Sequence, residues 1–467
     1  MANKYQLAVL GGGPGGYVAA IRAAQLGLKT VIIEKDNLGG ICLNWGCIPT
    51  KSLLKNAEIY DTMKNHSAEF GITVKGLEFN FPSIIKRSRE ISDRIVRNVG
   101  ILVKKNKIDL IKGIGKIISP DKIDIFNPEG KLIESITSDN IIVATGARPK
   151  DIPSIPVDHK MIITSTEAMN LPEQPGELII IGAGAIGVEF AYFYSVLGTK
   201  VTIIEMMDTI LPIEDKEVSL SLEKSFRKRG IDILTKATVN KAGVKGKKVI
   251  VSVTVNGSVK ELTADKVLSA IGVTGNVEGI GLEKLGIELF KNHIKVDKST
   301  YSTNIKGVFA IGDVIGPPWL AHVASAEGIH CVEKIKGLNP VDINYNNIPG
   351  CTYCQPQVAS IGLTEQKAKE AGYELKIGKF PFMASGKASA IGERDGFVKL
   401  LFDAKYGELL GAHIIGSEAT EMIAELAMAK SLEATAETII KTIHAHPTLS
   451  ESVMEAAGVA YNEAIHI

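Results

Sequence analysis

Gln6-Leu7-Ala8-Val9-Leu10-Gly11-Gly12-Gly13-Pro14-Gly15-Gly16 decides the fold. A short apolar strand, Gln6 to Leu10, runs into G-x-G-x-x-G. An alanine-rich helix follows from Tyr17 to Leu26, and Gly27 ends it. A second strand, Thr30 to Ile33, ends at Glu34, eighteen positions after Gly16. This order is what a dinucleotide site needs. Glycines let the backbone approach a pyrophosphate, the helix N-terminus attracts its charge, and the acid takes ribose hydroxyls. Gly11, Gly13, Gly16 and Glu34 are therefore candidate nucleotide-binding residues. A bare G-x-G-x-x-G is a weak signal, and the strand, helix and acid around it make it specific.

The pattern recurs once. Strand Leu178 to Ile181 leads into Gly182-Ala183-Gly184-Ala185-Ile186-Gly187, a helix runs from Val188 to Leu197, and strand Lys200 to Ile204 ends at Glu205. Again the acid stands eighteen positions after the last glycine. Gly182, Gly184, Gly187 and Glu205 form the second candidate set. A carboxylate accepts hydrogen bonds from a free ribose 2′-hydroxyl and repels a 2′-phosphate, and Met206-Met207-Asp208 supplies no arginine, so NAD is favoured over NADP. Glu189 is a charge at the start of an apolar helix. Pairing with the helix dipole and contact with a cofactor are equal readings of it.

Between the two sites stands Gly39-Gly40-Ile41-Cys42-Leu43-Asn44-Trp45-Gly46-Cys47-Ile48-Pro49-Thr50-Lys51. The run after Pro49 reads as a helix, with Cys47 near its start. A helix N-terminus and Lys51 both favour a thiolate. Such a pair can cycle between disulfide and dithiol. A structural disulfide, or two unrelated buried cysteines, is the plainer alternative. With two dinucleotide sites beside a dithiol, the economical assignment is FAD plus a nicotinamide cofactor.

At 467 residues the chain is too long for one ordinary core and suggests about two to four domains. A formal net charge of +1 implies no general attraction to nucleic acid or anionic membrane. No apolar stretch is long enough to span a bilayer. The N-terminus leads straight into the first strand, so no secretory or transit segment is expected. Five cysteines, an odd number, do not make a secreted framework. A reducing, cytoplasmic setting is expected.

The rest of the chain adds single signals. Phe81 to Asn106 is a long helical pattern whose many basic charges read as a solvated face. Asp109 to Ile118 reads as a strand with Gly113 and Gly115, and Thr145-Gly146-Ala147 ends another where backbone can approach a ligand. Val239 lies in a strand, and Ile271-Gly272 is a strand-to-turn approach. Gly312-Asp313 repeats the idea with an acid, and Leu320-Ala321-His322 opens a helix. An Asn/Pro-rich loop around Asn339 to Gly350 marks a domain boundary, after which an α+β domain is expected. Cys351 and Cys354 read as structural, with no further ligands for a metal, and Cys331 as a packed thiol. Near the end, Thr448-x-x-Glu451 is a capping-box pattern. Glu451 also reads as the carboxylate orienting His446, a proton shuttle.

Together these residues resemble the pyridine nucleotide–disulfide oxidoreductases over essentially the whole chain. The closest likeness is to the lipoamide-linked branch that serves as E3 of 2-oxoacid dehydrogenase and glycine cleavage complexes. Its most specific parts are Gly39 to Lys51 and His444-Ala445-His446-Pro447-Thr448-Leu449-Ser450-Glu451. The resemblance implies an α/β fold. Two Rossmann-like domains, for FAD (1–147) and NAD (148–274), are followed by a central segment (275–346) and a C-terminal α+β dimerisation domain (347–467). It implies that Cys42 exchanges with a dithiol substrate, that Cys47 lies against the flavin as a charge-transfer thiolate, and that Lys51 sits near the flavin within reach of Glu189. It assigns FAD contacts to Glu34, Gly115, Thr145, Gly146, Ala147, Asp313, Leu320, Ala321 and His322. NAD contacts fall to Gly182, Gly184, Gly187, Glu189, Glu205, Val239 and Gly272. His446 becomes the acid–base residue and reaches the active site of the partner subunit in an obligate homodimer. The implied reaction oxidises protein-bound dihydrolipoamide with NAD+, and the implied partners are lipoyl domains and an E2 acyltransferase. NADPH-linked reductases of small disulfides are the nearest rival, disfavoured by Glu205. A scaffold that keeps FAD for structure would need none of Cys42, Cys47 and His446.

Overall fold

The computed structural model describes residues 3–467. The chain divides into two compact units, 1–52 with 83–150 and 272–343, and 53–82 with 151–271 and 344–467.

The first unit is built on a sheet whose parallel strands run in the order Asp109–Lys112, Thr30–Glu34, Asn3–Leu10, Leu132–Val143 and Val308–Ala310. The central strands are apolar on both faces, as parallel strands covered by helices must be. Leu7, Ala8, Val9, Val31, Ile32, Ile141 and Ile142 are all fully buried. The long strand Leu132–Val143 also carries an antiparallel extension, pairing with Lys122–Phe126, which pairs with Ile114–Ser119. Sequence reading merged Asp109 to Ile118 into one strand. The chain instead breaks at Gly113, whose added Cβ would lie 2.6 Å from Ile125.

Helix α1 (Pro14–Gln25) follows the first strand, and Ala321–Ile335 packs against it. The small residues explain the closeness: a Cβ on Gly328 would meet Gly15 O at 2.7 Å. After the second strand come a short helix α2 (Gly40–Trp45), α3 (Cys47–Asp61) and α4 (Phe81–Lys105).

The second unit holds a second parallel sheet, ordered Asp232–Leu234, Lys200–Ile204, Glu177–Ile181, Lys266–Ser269, Ile162–Ile163. A three-stranded antiparallel sheet, Ala237 to Ala264, accompanies it. The C-terminal part is a five-stranded antiparallel sheet ordered Gly350–Thr352, Gln357–Gly362, Leu409–Gly416, Phe397–Asp403, Leu375–Pro381. Helix Glu451–Tyr461 lies directly on the last of these, so close that a Cβ on Gly378 would sit 1.7 Å from Ala456 O. Among the described residues no helix is long and apolar enough to cross a membrane.

Candidate functional site

The two fingerprints fold alike. Gly11 N–H donates to Ile33 O at 2.8 Å, and Gly182 N–H to Ile204 O at 2.9 Å. Both glycines have positive φ, +110° and +100°, and an added Cβ would meet Ala144 O at 2.3 Å and Ala270 O at 2.4 Å. Gly16 and Gly187 let the helix close onto the turn, each Cβ falling within 2.0 Å of a glycine carbonyl (1.9 and 2.0 Å). Gly13 and Gly184 are the N-caps of their helices and carry no side-chain cap, so first-turn N–H groups are left for an anion. The acids are held by backbone. Glu34 accepts Gly12 N–H at 2.6 Å and Asp36 N–H at 2.8 Å; Glu205 accepts Ala183 N–H at 2.7 Å and Met207 N–H at 2.9 Å. Each carboxylate is thereby aimed from the strand end, where a ribose edge would lie.

Around the first fingerprint the unit gathers most of the other expected residues. Thr145 Oγ1 donates to Asn276 O at 2.8 Å, Asn276 Nδ2 to Thr145 O at 2.9 Å, and Asn276 N–H to Gly146 O. Ala147 begins a ribbon paired with Val273–Gly275. A Cβ on Gly115 would lie 2.5 Å from the end of the Leu10 side chain, so a larger residue there would have to displace it. Leu320 is the N-cap of Ala321–Ile335 without a side-chain cap, and His322 is exposed in its first turn. Asp313 stands in the turn Gly312–Ile315; burial first, and the Glu327 charge second, push its carboxyl up to about 6. Glu327 itself accepts Gly312 N–H at 2.7 Å. A ligand bearing hydroxyls would supply the donors that this penalised carboxylate lacks. Uncapped helix ends, an aimed acid and that carboxyl together fit FAD.

The cysteines stand next to this cradle. Gly39 N–H donates to Gly12 O at 2.7 Å, which ties the cysteine stretch to the nucleotide loop. Cys42 lies in α2 and Cys47 begins α3. Their sulfurs are near disulfide distance. The thiols hydrogen-bond each other, and this, then burial, then the charge of a Cys47 thiolate hold the Cys42 thiol well above its usual range, while Lys51 pulls the other way. Burial and the neighbouring sulfur thus oppose ionisation of Cys42, and the Lys51 charge favours it. Asn44 locks α2 by donating to Leu38 O at 3.0 Å and Gly40 O at 2.9 Å.

In the second unit Glu189 is buried and accepts Tyr353 N–H at 3.0 Å. Neither dipole pairing nor cofactor contact anticipated this partner, 164 residues away. Val239 is half-buried in Ala237–Lys245, opposite Val253 and just before a bulge. Gly272 lies in the first unit at φ +111°, accepting Lys150 N–H at 2.9 Å. Cys331 is a free, fully buried thiol, its ionisation opposed by burial and then Glu327. Cys354 donates to Pro356 O at 3.3 Å. Among the described residues no group of three acidic, histidine or cysteine side chains forms a metal site.

His446 is exposed, and its Nδ1 lies 2.8 Å from Glu451 Oε1. Glu451 Oε2 also accepts Thr448 N–H at 2.8 Å. Half of the expected capping box forms: the helix starts at Glu451, so Thr448 precedes its N-cap and gives its hydroxyl to Ala445 O instead. Burial opposes the Glu451 charge, yet the Thr448 N–H and His446 outweigh it and hold the carboxyl below its usual range. A second histidine–carboxylate pair, His444 with Glu425 at 2.6 Å, lies beside it. Sequence reading had no signal for Glu425, which comes from another helix.

Helix α4 keeps most of its basic charges solvated, Lys86, Arg87, Arg94, Arg97, Lys104 and Lys105 being exposed, but Ser88, Arg89 and Ser92 on its inner side bond the cysteine stretch, and Arg87 also reaches the Ser52 hydroxyl. The partners are main-chain carbonyls and a hydroxyl, which leave no mark in a charge pattern.

Residues 5–328 match the family described as pyridine nucleotide-disulphide oxidoreductase, and residues 348–457 its dimerisation domain. The chain is 47% identical to the dihydrolipoyl dehydrogenase of Rhizobium etli and 49% identical to that of Zymomonas mobilis, over 100% of this chain and of each relative. Among solved structures it resembles LpdA from Mycobacterium tuberculosis, with a TM-score of 0.90 at 27% identity, covering 98% of this chain and 99% of that one. It also resembles the Cu(II) complex of the HOCl-induced flavoprotein disulfide reductase RclA from Escherichia coli, with a TM-score of 0.88 at 27% identity, over 98% and 99% of the two chains.

Proposed function

The chain belongs to the pyridine nucleotide-disulphide oxidoreductases, and from that premise we propose how its residues perform the family's chemistry. It is a dihydrolipoyl dehydrogenase, using FAD and NAD, and a homodimer. The observation that carries the mechanism is the Cys42–Cys47 pair, its sulfurs near disulfide distance and within the field of Lys51.

In the oxidised protein the two sulfurs form a disulfide. A thiolate of the dithiol substrate attacks Cys42, an S–S bond forms between substrate and protein, and Cys47 leaves as a thiolate. The second substrate thiol attacks its own sulfur in that mixed disulfide and releases Cys42. The substrate ends as the cyclic disulfide and the protein as the dithiol, two electrons having moved to the protein. His446, held by Glu451, takes the substrate's proton at Nε2. Its exposure supports a role in a site completed by a second subunit. When bound, FAD would supply the two-electron acceptor that links the protein dithiol to NAD+. Gly11, Gly13, Gly16, Glu34, Lys51, Gly115, Thr145, Gly146, Ala147, Asp313, Leu320, Ala321 and His322 would hold FAD. Gly182, Gly184, Gly187, Glu189, Glu205, Val239 and Gly272 would hold NAD. Lipoyl domains and an E2 acyltransferase of a 2-oxoacid dehydrogenase or glycine cleavage complex are the proposed partners, in the cytoplasm.

The test is NAD+ reduction by dihydrolipoamide with the purified protein, with NADP+ as the control acceptor. Fast NADH formation with NADP+ poor is expected. Equal use of NADP+ would remove the role given to Glu205. No turnover in a yellow, FAD-loaded protein would return the substrate to other disulfides.

A further inference from the structure

Helix α4 meets the cysteine stretch with a row of donors. Arg87 Nη1 donates to Ser52 Oγ at 2.9 Å, Ser88 Oγ to Pro49 O at 3.0 Å, Arg89 Nη1 to Asn44 O at 2.6 Å, and Ser92 Oγ to Leu43 O. Positions 88, 89 and 92 share one face of a helix. Ser88 and Ser92 are buried, and the Arg89 guanidinium lies 4.7 Å over the Trp45 ring. Its Nε and Nη2 are buried without a hydrogen-bond partner, which leaves the indole face as their neighbour.

The targets matter more than the donors. The last four carbonyls of a helix have no intrahelical partner, and α2 has only six residues. Leu43 and Asn44 are among those last four, and both lie between Cys42 and Cys47. A positive group is also favourable at that end of a helix. A disulfide needs Cβ atoms about 3.5–4.5 Å apart, whereas two thiols do not. Closing the pair therefore costs the freedom of the residues between them, unless something already holds those residues.

We propose that Arg89 and Ser92 are positioning residues for the Cys42–Cys47 couple: by pinning the Asn44 and Leu43 carbonyls to α4, they hold the reduced sulfurs at the span of the disulfide. This rests on reading Cys42 and Cys47 as the redox pair. Closure oxidises two thiols to one S–S bond and releases two protons and two electrons. A preset span favours closure, so the protein disulfide is harder to reduce and the mixed disulfide resolves faster.

The experiment equilibrates the FAD-loaded protein, without nicotinamide, against reduced and oxidised dithiothreitol. The oxidised form takes up the two electrons when the protein pair closes. Acid quenching, alkylation and mass measurement of the Cys42–Cys47 peptide give the dithiol–disulfide ratio. Arg89→Met is expected to shift that ratio about tenfold toward dithiol, or about 30 mV upward for a two-electron couple. Ser92→Ala is expected to shift it about threefold, or about 14 mV. Arg89→Lys, which keeps a donor and the charge, should stay close to the parent ratio. Arg94→Met removes a charge from the exposed side of α4 and should leave the ratio unchanged. Arg89→Met and Ser92→Ala at the parent ratio, or Arg94→Met shifting it as far, would overturn the proposal. If Arg89→Met does not fold, Ser92→Ala alone decides. A parent protein with no couple, behaving like Cys42→Ser, would overturn the redox reading itself and the clamp with it, an outcome distinct from a couple that is present and unshifted.

Discussion

The Asp313 carboxyl, in the turn Gly312–Ile315, is pushed up to about 6 by burial and then by the Glu327 charge. The sequence marks an acid after a strand and turn, where a ligand can approach. Burial and Glu327, which set its carboxyl at about 6, are tertiary facts. The sign follows. An unfolded aspartate has the ordinary value of 3.8, so the folded state is penalised wherever the group is ionised, above about pH 6. The penalty fades as pH falls through 6 toward 4. A rise of that size corresponds to on the order of 2–3 kcal/mol. In cofactor-stripped protein, Asp313→Asn should be more stable than the parent at about pH 8, and the two should converge near pH 4, measured by urea unfolding. A gap that does not change with pH would contradict this. Glu34 and Glu205 were legible because each ends the second strand of its own fingerprint, and their partners are N–H groups within that same motif. Glu189 and Arg89 were not, because their partners come from distant segments and are main-chain groups.

At the scale of the element, the strand–turn–helix unit separates glycines that build the turn from one that leaves room. Gly182 has φ +100° and a carbonyl 2.4 Å from where a Cβ would be; Gly184 has an ordinary φ of −71° and nothing within 4 Å. Gly182→Ala should therefore cost stability, about 2 kcal/mol or more, since both strain and clash oppose it. Gly184→Ala should stay within about 0.5 kcal/mol of the parent. Its Cβ would project into open space at the uncapped helix end, so the KM for NAD+ should rise about tenfold with thermal stability kept. Loss of stability in Gly184→Ala with NAD+ affinity intact would reverse the assignment. The helices and strands themselves followed from period and punctuation. Two elements depart from that: the chain breaks at Gly113 and divides an expected strand, and α2 is held from outside by the Asn44 bond to Leu38 O and by α4 as well as by its own turns.

At the scale of the whole molecule, the second unit carries a buried ion cluster that ties its parts together. Lys399, fully buried in Phe397–Asp403, donates to Asp215 at 3.0 Å, Glu217 at 2.8 Å and Glu365 at 2.6 Å. Asp215 is also the N-cap of Lys216–Lys228 and accepts Glu365 N–H at 3.1 Å. Burial opposes the ammonium, and the carboxylates more than offset it, so its pKa is raised. Burial likewise opposes the Asp215 charge, but nearby His413, the Glu365 N–H and Lys399 together lower its pKa. Such carboxylates contribute stability above their unfolded values, 3.8 for Asp and 4.5 for Glu, and lose it as pH falls through the lowered folded ones. Lys399→Met leaves three carboxylates facing one another and should cost about 3–5 kcal/mol at neutral pH. The deficit should narrow toward about pH 4 as those carboxylates protonate, followed by thermal unfolding across pH. A deficit below about 1 kcal/mol at pH 7 would show the cluster to be dispensable.

The sequence by itself determined the two nucleotide turns, the paired cysteines, the histidine with its carboxylate, and the order of strands and helices. Each depends on residues close in the chain, where spacing stands in for geometry. Only the tertiary structure decided that a basic helix grips the chain between the two sulfurs, that Glu189 holds Tyr353, and that Lys399 is sealed among three acids. Those partners are main-chain groups or side chains tens to hundreds of residues away, and no local period records which of them folding will bring together.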